Sequence, residues 1–450
     1  MTMPRVDPDL LPPFALPARF FLTAPLFGML CAGWLLVSGP GIWVSRWHPA
    51  LLGATHLLVL GFLLMVMVGA LAQVVPVIAM RSLPAARTLL PWVHILLCLG
   101  TLLLAASLGL PRPLWLPWAL ASLLPALSVF AGMLLWALLG KSSGEMAASL
   151  ARLSGLALVV TILLGAWLAL GTRWPGRFAI GRWLTDVHAS WGLLGAAGLL
   201  VIAVGSQVIP MFHVTPAFPK AGLRAMAAWL LAGLLLALLG VSRTGGNHGL
   251  WAVTPWVSLA GVVLFAVLVQ LLLAKRKRKV PDATVNAWRL AARGLLLGAV
   301  ILPLSVFTPQ WGWPAGSTLA AQFLLLGSLW TIVVGMLLKI VPFLAWLHLQ
   351  SLAGFQPSAL ARVPHMQALL AGSWARAQVA LHAVAMVTLV ICPLWSDLHV
   401  FACLLLLGDM ALLGGLLGLA VFRAGKARSD VAHALAEARG QASGVFGRTM

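Results

Sequence analysis

The chain has 450 residues, of which 62% are hydrophobic and only 8% charged, with a mean hydropathy of +1.03 and a formal net charge of +20. Water-soluble domains carry about a quarter charged residues, so this composition excludes that class and points to a lipid bilayer. The positive charge does not argue for nucleic acid, because its densest run, Lys275-Arg276-Lys277-Arg278-Lys279, directly follows an apolar stretch, where it suits anionic lipid headgroups.

Residues 1–19 are Pro-rich, contain Asp7 and Asp9 and lack the apolar centre of a cleavable signal, so they read as a cytoplasmic N-terminal segment. Twelve apolar runs of spanning length follow, roughly 20–42, 50–80, 89–109, 114–140, 150–172, 184–212, 223–241, 250–274, 290–308, 316–348, 376–395 and 398–422. The expected fold is an all-α integral membrane domain of twelve helices over 20–422. Residues 423–450 form a cytoplasmic tail in which Ser429-Asp430 is expected to cap a short separate helix. With the N-terminus cytoplasmic, 22 Lys or Arg fall on the cytoplasmic side and six opposite, which places both termini inside.

Within this pattern one motif recurs. Gln73-Val74-Val75-Pro76, Gln207-Val208-Ile209-Pro210 and Lys339-Ile340-Val341-Pro342 end alike, with prolines 134 and 132 residues apart. Gly69 and Gly335 stand 7 residues before their prolines, and Gly61 and Gly327 stand 15 before; the middle copy has Ala203 at the first glycine position. The recurrence predicts three four-helix repeats, about 20–140, 150–274 and 290–422, with the second, sixth and tenth helices lining a pseudo-three-fold bundle.

Polar residues on the motif helices sort into two layers. His56, His188 and Gln322 lie near the outer ends, and Gln73, Gln207 and Lys339 about 25 Å deeper at 1.5 Å per residue. His48, His248 and His399 belong to the outer loops, while His94, His213 and His382 are placed on the inner side. Polar groups within a span are costly and face the bundle or a wet cavity. The outer histidines suit either metal ligation or interhelical hydrogen bonding. The inner layer suits polar glue about a central axis, or an entry for protons or a small solute. Cys31, Cys98, Cys392 and Cys403 have no zinc-site spacing, and Met65, Met67, Met80 and Met211 read as core rather than a copper path. The tryptophans, among them Trp43, Trp47, Trp311, Trp313 and Trp395, mark an interfacial belt.

Twelve spans, three arcs and polar residues at the outer ends of helices 2 and 6 resemble subunit I of the haem-copper oxidase superfamily, which includes the nitric oxide reductases. The NnrS family, haem- and copper-containing proteins of nitric oxide metabolism, is also similar. The resemblance covers about 20–422. It implies that His56 ligates a b-type haem and that His188 and His248 belong to a copper or second-metal site. It also implies a bacterial inner membrane, other respiratory membrane subunits and a periplasmic electron-transfer partner.

The departures shape the expected activity. Gln322 stands where the oxidases have a helix 10 haem ligand, tyrosine is absent, and the glutamates, Glu145 and Glu437, fall in cytoplasmic segments. The expectation is therefore binding of b-type haem or copper near the outer face, without turnover of oxygen or nitric oxide. A permease or structural subunit that kept the fold without cofactors is the alternative.

Overall fold

The computed structural model describes residues 12–446 except 111–112, 140–145, 179–180, 243–248, 281 and 308–315. In hydrocarbon each backbone N–H and C=O must be satisfied within its own segment, which selects helices for isolated apolar runs. Twelve helices long and apolar enough to span a membrane result among the described residues: α1 (Ala15–Ser38), α2 (Pro49–Ala79), α3 (Ala86–Gly109), α4 (Leu116–Leu139), α5 (Met146–Arg173), α6 (Trp183–His213), α7 (Lys220–Leu239), α8 (Val257–Ala274), α9 (Ala283–Leu304), α10 (Thr318–Ala353), α11 (Gly372–Ile391) and α12 (Ser396–Ala438). No strand occurs among those residues.

Each span packs on the next, and α12 returns to pack on α1, which closes the chain into a ring. The three motif helices occupy its interior: their apolar windows are 61%, 56% and 72% buried for α2, α6 and α10, whereas no other span exceeds 50%. Between them lies an apolar cavity of about 70 Å³, lined by Val66 and Met67 of α2, Leu200 and Val204 of α6, and Val333 and Met336 of α10. Trp288 of α9 also reaches it and donates its indole N–H to the Met336 sulfur at 3.2 Å. The centre of the bundle is thus an apolar seam.

Glycines on the motif helices set how closely the neighbours approach. A Cβ on Gly69 would stand 2.9 Å from Cε1 of Phe21, on α1, and one on Gly335 would collide with Ala287 of α9. The α9 and α10 backbones meet at Gly294 and Gly327, where a Cβ on Gly294 would lie 2.5 Å from the Gly327 carbonyl oxygen. Small residues at a crossing let helices gain the van der Waals contact that lipid cannot supply.

Among the described residues a further regularity is confined to the motif helices. Each changes from α to π winding, over Leu57–Leu64, Trp191–Gly198 and Leu325–Trp330, and every π segment ends 12 residues before the motif proline. π turns leave backbone carbonyls and side chains out of the ordinary ladder and concentrate at functional sites. Beyond the prolines, α2 and α6 end at left-handed residues, Met80 (φ 52°) and Val214 (φ 52°), each four residues past its proline. In α10 the helix continues through the equivalent position to Ala353.

The tail differs from expectation. Instead of a separate helix capped at Ser429, the last helix runs unbroken over His399–Phe446. No proline interrupts this stretch, and its Ala-rich extension is held by packing: Val431 and Ala434 bury against Ala353 and Ala359, and Ala424 and Ala427 against Ala345 and Leu349.

Packing at the crossings makes a direct prediction. Gly69→Leu should destabilise the purified protein by about 1–3 kcal/mol through overpacking against Phe20 and Phe21. Gly132→Ala, whose Cβ meets nothing within 4 Å, should leave thermal unfolding followed by size-exclusion chromatography unchanged.

Candidate functional site at the heads of the motif helices

The N-terminal ends of α2 and α6 are tied by a bidentate ion pair: Arg46, before α2, donates to the Asp186 carboxylate of α6 at 2.5 and 3.1 Å. His188 lies two residues beyond Asp186 on α6, and His56 lies on α2, the helix whose head the same ion pair ties to it. His56 Nδ1 lies 2.8 Å from the Leu52 carbonyl oxygen. A carbonyl only accepts, so Nδ1 carries the proton and Nε2 keeps a free lone pair, the tautomer in which metal-binding imidazoles are held. The His188 ring rests on Gly165 of α5, where a Cβ would lie 2.9 Å from its Cε1, and it engages the backbone of Thr161.

What distinguishes this end of the bundle is unmet hydrogen-bonding capacity. Eight buried side-chain nitrogen and oxygen atoms lack a partner among the described residues, and four of them are His188 Nδ1, Trp191 Nε1 and both amide atoms of Gln322. Gln322, at the head of α10, is 8% exposed. Leaving a buried polar group unpaired costs about 1–3 kcal/mol, so each of these groups calls for a partner.

Two of the other histidines expected at this level are accounted for structurally. His48 Nδ1 accepts from the Ala50 amide at 3.2 Å and caps the start of α2. His399 is buried and accepts from the Trp43 indole at 3.0 Å. His248 lies outside the described residues, as do Trp311 and Trp313. Among the described residues no group of three or more His, Cys, Asp or Glu is placed to hold a metal ion.

At the opposite ends of the motif helices the repeated polar positions do not share one axis. Gln73 donates to the Pro12 carbonyl at 3.2 Å, Gln207 is exposed, and Lys339 pairs with Asp282 at 2.8 Å. Asp282 precedes α9 and also accepts from the Thr284 amide at 2.9 Å and its hydroxyl at 2.6 Å, while the Thr284 hydroxyl lies 3.5 Å from His213 Nε2. Burial raises the Asp282 carboxyl, but hydrogen bonds from Lys339 and Thr284 outweigh it and hold the pKa at about 2. Beside this cluster a cavity of about 280 Å³ is lined by Lys339, Arg278, His365, Phe212, Phe343 and Trp346. His94, well within α3, bonds to the Thr23 hydroxyl at 2.9 Å.

His382 corrects the two-layer reading. Because α11 starts at Gly372, this residue is its eleventh of 20 and lies in mid-helix, not at the inner end. There it joins Asp409 of α12, at 2.7 Å, and Gln378, residues that stood out in no motif. Asp409 was detectable as the one acid between Leu404 and Leu419, although its partner is 27 residues away on another helix.

The Lys339 pair yields a prediction with a defined pH sense. Asp282 has a depressed pKa in the folded state, so its contribution is complete above the ordinary value of 3.8 and is lost as pH falls through about 2. Asp282→Asn at neutral pH should destabilise by up to about 3 kcal/mol by stranding Lys339, and the Asp282→Asn, Lys339→Met double variant should recover most of that loss in thermal unfolding. In comparisons with known proteins, no family model matches this chain and no curated protein is similar to it.

Proposed function

We propose that this chain is a membrane redox protein that holds b-type haem or copper between His56 and His188 and serves respiratory electron transfer or nitric oxide metabolism. The observation that carries the reading is the Arg46–Asp186 tie between the heads of α2 and α6, which bear two imidazoles, one with a free Nε2 lone pair and the other with a buried, unpartnered Nδ1. Imidazole nitrogen suits both iron and copper. The donor set fits a group bound by two imidazoles, and it falls short of the three-ligand second-metal site of an oxygen or nitric oxide reductase.

The three motif helices, with matching π segments and prolines, support a pseudo-three-fold arrangement of four-helix units like that of the haem-copper oxidases and the NnrS family. The excess of Lys and Arg in the segments at the proline ends supports an outer location for the His56 end and cytoplasmic termini. Bound iron or copper there supplies one-electron transfer. The chain's own residues do the positioning. Leu52 fixes the His56 ring, Gly165 makes room for the His188 ring, and the Arg46–Asp186 pair holds the two helix heads together. Gln322 offers an amide in place of a third imidazole, so the site is that of a carrier or binding protein.

His56→Ala and His188→Ala should each lower bound haem or copper at least about tenfold, read from the Soret absorbance and from iron and copper per chain. His48→Ala should retain both. Unchanged cofactor content in the two site variants would remove these residues from the site.

A further inference from the structure

Among the described Asp, Glu, His, Lys and Arg residues the most deeply buried is Asp409, with no exposed surface, about a third of the way along α12. A carboxylate at bilayer depth costs about 2.5–3.5 kcal/mol even on insertion scales, and intramembrane acids mark ion or proton sites. Its surroundings are specific. His382 Nδ1 meets Oδ2 at 2.7 Å, and the Gln378 amide donates to Oδ1 at 2.5 Å and to the Asp409 backbone carbonyl at 3.0 Å. His382 Nε2 lies 3.2 Å from the Thr331 hydroxyl, which itself donates to the Leu326 carbonyl at 3.0 Å. Thr331 and Trp330 face the pair from α10 and Gln378 from α11; His382 is the only salt-bridge partner of Asp409 among the described residues. The cluster is not saturated, for Gln378 Oε1 and Trp330 Nε1 are buried without partners.

Donor counting ties the proton count of the pair to the orientation of the Thr331 hydroxyl. The Thr331 hydroxyl has one hydrogen and two neighbours, the Leu326 carbonyl and His382 Nε2; when that hydrogen goes to Leu326, the oxygen can only accept from His382, and Nε2 carries a proton. A second proton lies on the Nδ1 to Oδ2 bond. That hydroxyl orientation corresponds to the fully protonated pair, neutral overall: imidazolium with carboxylate, or imidazole with carboxylic acid. Removing one proton leaves a net negative charge and turns Nε2 into an acceptor. The Thr331 hydroxyl then has to rotate to it, releasing the Leu326 carbonyl, which belongs to the π segment Leu325–Trp330.

We propose that Asp409 and His382 form an intramembrane proton-binding site whose occupancy is transmitted through Thr331 to the π segment of α10. The ligand is a single exchangeable proton, and the responsive element is the helix that carries Gln322 at its head. This site stands independently of any haem or copper at His56 and His188.

The test is ¹⁵N NMR of histidine-labelled full-length protein in lipid nanodiscs, titrated over about pH 5 to 9, the range in which imidazole exchanges its proton. His382 should show both nitrogens protonated at the acidic end and lose one proton in a single step. Asp409→Asn should abolish that step, and Thr331→Val should move its midpoint by at least about one pH unit. An unchanged His382 protonation state in the wild-type protein throughout the range would overturn the proposal without recourse to any variant. A wild-type step that survives unaltered in both variants would overturn it too.

Discussion

Lipid offers no hydrogen bonds, and that constraint organises this molecule. Each apolar run must close its backbone ladder internally, so the chain becomes helices, and each polar side chain within a helix must find a partner inside the ring. Most do. Thr23 meets His94, Trp43 meets His399, Trp34 donates to the Ala50 carbonyl, and Lys339 meets Asp282. Against that background the unpaired atoms carry information. They are Arg19 Nε, Thr101 Oγ1, His188 Nδ1, Trp191 Nε1, both amide atoms of Gln322, Trp330 Nε1 and Gln378 Oε1, the last two beside the Asp409–His382 pair. Six of these eight atoms belong to the motif helices or to the neighbour of Asp409, where the two candidate sites lie.

The motif helices connect those sites. A proline closes the regular ladder near one end, a π segment loosens it 12 residues before, and the candidate ligands lie just ahead of the π segments in α2 and α6. The apolar seam among α2, α6 and α10 keeps water from the core, so charges on either side of it act through a poorly screened medium. Glycines against α1 and α9 bring the same helices close to their neighbours. Stability and site geometry thus depend on the same three elements.

Much of this was legible in the residues. Spanning length and lack of charge locate twelve helices, and recurrence of the proline motif picks out the three that prove most buried. His56 and His188 follow from that register. Other features lack a local signal. π winding has no residue signature, so the rotation it gives the heads of the motif helices could not be read from spacing. The start of α11 at Gly372 is masked by Arg376, a charge near a helix end, and that displaced His382 toward the wrong layer. Asp409 and Asp282 are single acids whose partners come from other helices, and only the folded ring reveals the pairing.

The central claim is that the two imidazoles at the heads of α2 and α6 hold a redox group. Its most direct test is the optical spectrum of the purified wild-type chain, taken with total iron and copper, both as isolated and after incubation with excess haem and with Cu(I). The account predicts a b-type haem spectrum or about one copper per chain, retained through gel filtration. A folded, monodisperse protein that retains neither iron nor copper under any of these conditions would contradict it.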